Sequence, residues 1–506
     1  MSETALEVPG AGRARMMLAR AHWAATAFAS YDADRIRRIV ETVADVAYQN
    51  AQRFAEGAVQ ETGMGVVEHK RLKNEACSRG LVARYGSEDY VSARIDAERK
   101  LVELPKAAGV ILALTPSTNP VATVYFKVLL GLMTRNAVVV SPHPAAKRTC
   151  AEAAELLGRA AVAAGAPDGC VQVVAEPTIP LVEALMSDPG TDVIVATGGS
   201  AVVRAAYRSG TPALGVGPGN VPVFVDGSAD LAAAAEALAY SKSFDNSILC
   251  TNESTLIAEE SIADRLVSEL ERRHVAVLDP EQTNRIRATC YPDGRVQTEL
   301  AGKDAVALAQ AAEIAVPNGT KVLVAPFPAI VGEEPLAFEK LFPLLGMVTV
   351  PDARRGVDAA RALLRIGGAG HSAVIHSRDP DTILAYGAAM PVLRVTVNAP
   401  GSTGSAGLDT NLSIAMTIGT GFFGRSSLTE NLEPRHLVQW TRLAYAVDAP
   451  FDDYDGLQPW SAVPAAAAPT TVSAGVPEPL GLPDEQAFRD ELRRLILEEL
   501  REAVRD

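Results

Sequence analysis

Residues 107–144, AAGVILALTPSTNPVATVYFKVLLGLMTRNAVVVSPHP, decide the fold class of this chain. The segments AGVILALTP (108–116) and NAVVVSPHP (136–144) are short apolar runs that each end at a proline turn. Near-continuous runs of Val, Ile and Leu of this length are typical of strands that are buried on both faces. The stretch therefore predicts neighbouring strands of a parallel α/β sheet, with a helix between them.

The same alternation continues along the chain. A helix is predicted over 146–164, which ends at a Gly-Ala-Pro turn, and residues 34–66 show helical spacing of apolar residues. Further strands are predicted at CVQVV (170–174), DVIVATGG (192–199), PVFVD (222–226), TLIA (255–258), KVLVA (321–325), MVTV (347–350), AVIH (373–376) and RVTVN (394–398). We predict a helical segment up to about residue 100 and two doubly wound α/β domains that join near residue 225.

Composition excludes several classes of protein. The chain has 506 residues, 48% of them hydrophobic, and a formal net charge of −14. A largely disordered chain is excluded, and the acidic balance argues against nucleic acid as the main partner. The sequence shows no membrane-length apolar run and no signal peptide, and five cysteines fit a reducing cytosol. The composition thus favours a cytoplasmic enzyme that binds neither membrane nor nucleic acid, and the sequence predicts no metal site.

The last fifty or so residues differ in composition. Residues 448–483 are rich in Pro and Ala, which predicts a linker, and residues 484–506 follow as an amphipathic helix. One face of this helix carries Phe488, Leu492, Ile496, Leu500 and Ala503.

Two local motifs are candidates for chemistry. Residues 419–424, GTGFFG, match G-x-G-x-x-G, but the segment RSSLTENLEP that follows begins no convincing helix. We therefore interpret GTGFFG as a Gly-rich loop rather than a dinucleotide site. Cys250, in SKSFDNSILCTNES, lies among small polar residues at the junction of two elements, where a thiol can be exposed and nucleophilic. The other four cysteines are expected to be buried and inert; they are Cys77, Cys150, Cys170 and Cys290.

Between about 100 and 445 the chain resembles the CoA-acylating branch of the aldehyde dehydrogenase superfamily. The resemblance rests on segments in a fixed order, which are TPSTNPVATVYFK, TRNAVVVSPHPAAK, AGAPDG, ATGGSAVVRAAYRSGTPALGVGPGNVPVFVD, SKSFDNSILCTNE, FEKLFPLLG, GGAGHSAVIHS and MPVLRVTVNAP. It implies an α/β fold with a Rossmann-variant cofactor domain, a catalytic domain and a small β-ribbon for oligomerisation. The implied division is 1–225 for the N-terminal helices and cofactor domain, 226–430 for the catalytic domain and 431–447 for a strand that returns to the ribbon near 100–106.

The resemblance implies catalytic roles for three residues. Cys250 matches the thiol that attacks the aldehyde carbon and carries the acyl thioester. Asn119 matches the amide that donates to the oxyanion, and a donor of this kind is worth about 10²–10³ in rate. His371, in GAGHSAV, matches a histidine associated with catalysis. From the residues alone, Asn119 is equally an Asx-turn before Pro120, and His371 is a strand-edge histidine satisfied by backbone.

One departure from the family pattern bears on the reaction. Hydrolytic members carry E-L-G-G about 35 residues before the nucleophile, and its Glu activates water. This chain has ALGVGPGN, with Leu214 or Ala213 at that place. A general base typically raises the rate of water attack by about 10²–10⁴-fold, whereas a thiol such as CoA needs less activation. The departure favours acyl transfer to CoA; a hydrolytic dehydrogenase and an idle structural member are the alternatives.

The resemblance also implies a nicotinamide cofactor, NAD with NADP not excluded, and CoA as co-substrate. The expected cofactor-binding residues are Thr115, Pro116, Ser141, His143, Thr197, Gly198, Gly199, Gly215, Gly217 and Glu339. The Gly-rich run 215–220 would admit a ligand that approaches closely. A short-chain aldehyde is expected near Tyr125 and Phe126, with the loop 400–425 at the mouth of its pocket and Arg425 as a candidate partner for an anionic group.

The partners implied are a second copy of the chain, in a homodimer or homotetramer, and a microcompartment shell. The tail 484–506, behind its Pro/Ala linker, is similar to the encapsulation peptides of bacterial microcompartments, which would place this cytoplasmic enzyme inside such a shell. Docking of the tail on its own oligomer and a disordered tail are the alternatives.

Overall fold

The computed structural model describes residues 10–452 and 454. Of the predicted linker, 448–483, and tail helix, 484–506, residues 453 and 455–506 lie outside the described residues. An N-terminal group of helices comes first. Its members are α1 (Ala11–Phe28), α2 (Ala33–Gln49), α3 (Ala51–Thr62), α4 (Val67–Glu75) and α5 (Leu81–Tyr85). A π-helical turn, Ala76–Gly80, joins α4 to α5.

The predicted ribbon strands pair as expected. Strands β1 (Arg94–Asp96) and β2 (Leu101–Ala107) are antiparallel neighbours, and a strand near the C-terminal end of the described region, Val438–Ala444, pairs antiparallel with β2 along its full length. That the ribbon joins subunits stays a prediction.

Residues 107–144 form the first two strands of a parallel five-stranded sheet, with the helix between them. Its elements are β3 (Val110–Thr115), α6 (Pro120–Met133), β4 (Ala137–Pro142), α7 (Lys147–Ala163), β5 (Val171–Val173), α8 (Ile179–Ser187), β6 (Val193–Thr197), α9 (Ser200–Arg208) and β7 (Ala213–Val216). The strand order is β5-β4-β3-β6-β7. The strands and helices predicted here are confirmed, and every residue of β3 and β4 is buried, as their near-continuous apolar sequences require.

A parallel seven-stranded sheet follows. Its elements are β8 (Val221–Val225), α10 (Leu231–Ser243), β9 (Glu253–Glu259), α11 (Ala263–Glu271), β10 (Val275–Val277), α12 (Pro280–Cys290), α13 (Ala305–Ala311), β11 (Val322–Pro326), β12 (Leu344–Val350), α14 (Ala353–Ile366), β13 (Ala373–His376), α15 (Pro380–Ala389), β14 (Val395–Val397) and α16 (Gly401–Ser405). The strand order is β10-β11-β12-β9-β8-β13-β14, and the ribbon strand Val438–Ala444 is β15. PVFVD, which the sequence places at the end of the first domain, is β8 and pairs in this second sheet; the domain division itself stays a prediction.

Helix starts follow the side-chain chemistry of the sequence. The carboxylates of Asp32, Asp230, Asp304 and Asp352 accept hydrogen bonds from backbone N–H groups in the first turns of α2, α10, α13 and α14. Such caps satisfy donors that a helix leaves free at its N-terminus. By contrast, GTGFFG forms a loop with a single 3-10 turn, Phe422–Gly424, and no α-helix follows it in the segment RSSLTENLEP, so its interpretation as a Gly-rich loop is confirmed.

Candidate active site

The carboxyl edge of the five-stranded sheet gathers most of the predicted cofactor residues. Thr115 is in register with Pro142 at the ends of β3 and β4, and β6, which ends at Thr197, lies on the other side of β3. The chain runs outward from β3 through β4 to β5, and then from β6 to β7, so the order reverses between β3 and β6. Ligands of open parallel sheets bind outside the carboxyl ends of the strands at such a switch point.

The start of α9 has room for an anionic group. Gly199 caps the helix, and a Cβ added there would meet nothing within 4 Å. Helix N-termini attract phosphate, because their free N–H groups and the helix dipole point toward it. The neighbouring Thr197 hydroxyl lies 2.8 Å from the hydroxyl of Thr417. These residues fit a dinucleotide, with Thr115, Pro116, Ser141 and His143 on the adjacent strand ends.

His143 has a local structural role. Its Nδ1 accepts a hydrogen bond from the N–H of Ala145 at 3.1 Å, so the ring caps the short turn before α7. The imidazole is otherwise exposed at the sheet edge, which is compatible with the cofactor contact expected from the sequence.

Cys250 lies where the two parallel sheets meet. The chain crosses from the end of β7 to the start of β8 through residues 217–220, and Cys250 lies three residues before the start of β9, the neighbour of β8. Cys250 is partly exposed, whereas Cys77, Cys150, Cys170 and Cys290 are buried, as the sequence predicts. Only Cys250 is therefore open to a substrate.

The Cys250 thiol is neutral in the resting enzyme. Burial, and after it the nearby Glu339 carboxylate, raise the pKa of the thiol to about 12, while Arg394 and Lys73 act in the opposite direction. Since the thiolate is the nucleophile, the reaction needs a group that removes the proton.

Gly219 of the crossing segment packs directly against the backbone of Cys250. A Cβ at Gly219 would lie 2.0 Å from the carbonyl oxygen of Cys250, and the Gly219 N–H donates to Glu339 Oε1 at 3.2 Å. Burial raises the pKa of Glu339 to about 7. Glu339 lies half-buried in a loop beside Cys250.

The glycine at 215 has a structural reason. A Cβ there would lie 2.8 Å from both Tyr207 and Val203 of α9, and the Gly215 N–H donates to the Tyr207 hydroxyl at 3.0 Å. Close packing of helix on strand thus explains Gly215, and its role toward a ligand stays a prediction. At Gly217 the nearest atom to an added Cβ is Thr420 Oγ1, at 3.6 Å, an ordinary contact.

His371 is a buried, uncharged imidazole. Its Nδ1 lies 2.9 Å from the Ser372 hydroxyl, and its Nε2 is buried with no hydrogen-bond partner among the described residues. Burial, and then the Arg394 charge, lower the pKa of His371 to about 3. The backbone does not satisfy this ring, contrary to the structural alternative drawn from sequence, and its role as a base stays a prediction.

Arg394 is a site residue that sequence reasoning missed. It is buried, it donates to the carbonyls of His371 at 3.1 Å and Gly419 at 2.6 Å, and its charge acts on Cys250. Its segment MPVLRVTVNAP is part of the resemblance, but an arginine at the start of a strand gives no sign by itself that it will be buried.

Asn119 is the N-cap residue of α6 and is half-buried. Its Oδ1 accepts a hydrogen bond from Lys73 Nζ, and Lys73 also pairs with Asp245, five residues before Cys250. Sequence reasoning missed both Lys73 and Asp245. A lysine on a helix is normally exposed, so only the fold reveals the burial of Lys73.

The two aromatic residues expected near the aldehyde belong to the hydrophobic core instead. Tyr125 and Phe126 are fully buried in the hydrophobic core, and Tyr125 packs edge to face on Phe54. They therefore line no opening. Arg425 is exposed, in the left-handed backbone region, on the same loop as the exposed Phe422 and Phe423, and its role toward an anion stays a prediction.

Residues 10–452 and 454 lack both a metal-binding cluster and a membrane-length helix. No group of three or more His, Cys, Asp or Glu side chains in this part of the chain is arranged to hold a metal ion. No helix in it is both long and apolar enough to cross a membrane.

Comparisons with known proteins identify the family. The sequence profile described as the aldehyde dehydrogenase family matches residues 3–286. A succinate-semialdehyde dehydrogenase (acetylating) of Clostridium kluyveri is 34% identical over 418 residues, which cover 82% of this chain and 92% of that protein. Other curated relatives are longer, and the chain spans about half their length, 48% in one case.

Solved structures give the same result. An acetylating aldehyde dehydrogenase from Geobacillus thermoglucosidasius superposes with a TM-score of 0.85 at 36% identity, covering 88% of this chain and 98% of that one. A propionaldehyde dehydrogenase from the Clostridium phytofermentans fucose utilisation bacterial microcompartment superposes with a TM-score of 0.77 at 28% identity, covering 85% and 97%. The chain belongs to the aldehyde dehydrogenase family.

Proposed function

We propose that this protein oxidises a short-chain aldehyde with NAD⁺ and CoA, giving an acyl-CoA and NADH, through a thioester on Cys250. The observation that carries the proposal is the segment behind the nucleophile. Leu214 and Ala213 stand where a hydrolytic enzyme would have its glutamate, and Gly219 of the same segment contacts Cys250. Without a carboxylate there, water is a poor acceptor for the acyl group. Resemblance to relatives that are themselves acetylating supports the assignment.

The residues of the site divide the chemistry among them. Cys250 attacks the aldehyde carbon, and the Asn119 amide, together with the Cys250 N–H, stabilises the oxyanion. We assign His371 to the thiol protons because its Nε2 has no hydrogen-bond partner among the described residues. A bound nicotinamide would supply the hydride acceptor that the oxidation of the Cys250 adduct to a thioester requires. Thr115, Thr197 and Gly199 would hold the dinucleotide, with Glu339 at its ribose.

The test follows NADH formation from propionaldehyde with and without CoA. We expect one NADH per active site without CoA, because the thioester on Cys250 then persists, and continuous turnover once CoA is added. Cys250→Ser should abolish both phases, while Cys290→Ser, a matched change at a buried cysteine, should retain them. Continuous turnover without CoA would establish a hydrolytic enzyme, and no turnover with any short aldehyde would indicate an idle member.

The acceptor choice is tested separately by Leu214→Glu. This change places a carboxylate in the segment that contacts Cys250, and we expect slow NADH turnover without CoA to appear. If Leu214→Glu folds and gains no hydrolysis, the position of residue 214 does not decide the acceptor, although the CoA requirement of the wild type still stands.

We further propose that the enzyme is a homo-oligomer that acts in the cytoplasm inside a bacterial microcompartment. In the described residues, β15 pairs on one edge only, with β2, and such an edge can pair with another chain. The structural resemblance to a microcompartment propionaldehyde dehydrogenase and the amphipathic pattern of 484–506 support the location. Deleting 460–506 should preserve activity and oligomer size in sedimentation, and should abolish co-purification with shells. Loss of activity or of the oligomer would contradict targeting as the role of the tail.

A further inference from the structure

Three charged side chains are buried together beside the site. Lys70 and Lys73 lie one turn apart on α4, and Asp245 lies in the turn that leads to Cys250; their side chains are 3%, 1% and 0% exposed. Lys70 Nζ is 3.2 Å from Asp245 Oδ2, and Lys73 Nζ binds the same oxygen. One carboxylate thus faces two ammonium groups. Burial of charge on this scale costs desolvation free energy, which only good ion-pair geometry and further hydrogen bonds offset.

The turn that contains Asp245 is strained and firmly attached to α4. Asp245, Asn246 and Ser247 have φ values of 51°, 51° and 61°, a run that residues with a Cβ rarely adopt. Asp245 Oδ1 accepts from the N–H of Val66 at 2.7 Å, and the Asp245 N–H donates to His69 Nδ1 at 2.8 Å. The start of α4 therefore holds this turn, and with it the approach to Cys250.

Lys73 also fixes the orientation of the Asn119 side chain. Its Nζ donates to Asn119 Oδ1, and an ammonium group has donors only, so the amide oxygen must face it. The Asn119 Nδ2 is thereby turned away from Lys73. Among the described residues, the one partner of Nδ2 is the Thr118 hydroxyl, at 3.3 Å. The positive charge of Lys73 next to Oδ1 also polarises the Asn119 amide and makes its N–H a stronger donor.

Lys70 provides an internal comparison. It shares Asp245 with Lys73, but its second hydrogen bond goes to the backbone carbonyl of Thr118, at 3.0 Å. The two lysines therefore have similar burial and the same ion-pair partner, and they differ in which of them contacts the Asn119 amide.

We infer that Lys73 is a positioning residue for the oxidation step. Asp245, in the turn that leads to Cys250, holds Lys73. Lys73 in turn orients the Asn119 amide so that Nδ2 is presented as the oxyanion donor. The inference rests on the proposed function, because it takes the role of Asn119 from there.

A double-mutant cycle tests this inference. The readout is the rate of the single-turnover NADH burst with propionaldehyde, without CoA, in wild type, Asn119→Ala, Lys73→Met and the double variant. Asn119→Ala should slow the burst by about 10²–10³, as loss of an oxyanion donor does. Lys73→Met should slow it by at least about tenfold, and the double variant should be no slower than Asn119→Ala, because Lys73 acts only through that amide.

Lys70→Met is the matched control, and it should slow the burst less than Lys73→Met. Losses that multiply in the double variant, or equal losses in the two lysine variants, would overturn the inference by showing a merely structural role. If Lys73→Met does not fold, Lys73→Gln replaces it in the same cycle. An unimpaired burst in Asn119→Ala would overturn the proposed oxyanion role as well, whereas a slowed Asn119→Ala with an unimpaired Lys73→Met overturns this inference alone.

Discussion

Gly219→Ala is the sharpest test of the site geometry, because the change adds one methyl group directly behind the nucleophile. The added Cβ would lie 2.0 Å from the Cys250 carbonyl oxygen, and real Cβ atoms essentially never approach a heavy atom closer than 3.0 Å. The obstacle is backbone, which no side-chain rotation can move aside. The backbone at Gly219 does not have a positive φ, so conformational strain does not complicate the effect.

The size of the effect follows from the distances. To reach 3.0 Å from 2.0 Å, the two segments must separate by 3.0 − 2.0 = 1.0 Å. A displacement of this size in a reacting group reduces rate by about 10²-fold, since attack depends on near-contact geometry. The same separation would stretch the hydrogen bond from the Gly219 N–H to Glu339. We therefore expect kcat to fall by about two orders of magnitude.

The assay is steady-state NADH formation with propionaldehyde and CoA, together with the thermal midpoint and the rate at which iodoacetamide alkylates Cys250. Gly217→Ala is the control in the same loop, because the nearest atom to its Cβ is 3.6 Å away and its φ is not positive. Its thermal midpoint and alkylation rate should match wild type. A folded Gly219→Ala enzyme with a wild-type kcat would refute the close approach on which this reasoning rests.

Three further predictions follow from the same contacts. The pKa of His371 is lowered to about 3, so at acid pH the unfolded state binds a proton that the folded state does not. Between pH 7 and pH 5 this one ring should therefore lower the free energy of unfolding by about 2 kcal/mol. Urea titrations at the two pH values measure this loss, and His371→Gln should remove it. Glu339→Gln removes a charge that raises the pKa of Cys250, so the pH profile of iodoacetamide alkylation should move to lower pH, and an unchanged profile would contradict this effect of Glu339. Tyr207→Phe removes the acceptor of the Gly215 N–H and should destabilise the fold by about 1–2 kcal/mol in urea unfolding. A variant as stable as wild type would contradict this role of the hydroxyl.

The sequence specified the strands and the nucleophile because both depend on local information. Val110–Thr115 and Ala137–Pro142 are apolar runs of strand length, and any sheet that buries both faces requires such runs. Cys250 stands out by its polar surroundings and by its spacing from ALGVGPGN. The missing carboxylate at Leu214 is likewise visible in one line of sequence, and it carries the proposed choice of CoA over water.

Only the tertiary structure decided which groups surround that nucleophile. Lys73 on a helix and Arg394 at a strand start look like solvated cations in sequence, and both are buried because distant segments close over them. Gly215, which the sequence associated with ligand approach, is explained by the helix packed against it. The physical reason is the range of the forces: backbone preference and hydrophobic pattern act over a few residues along the chain, whereas burial of charge and close approach of backbones arise between residues far apart in sequence.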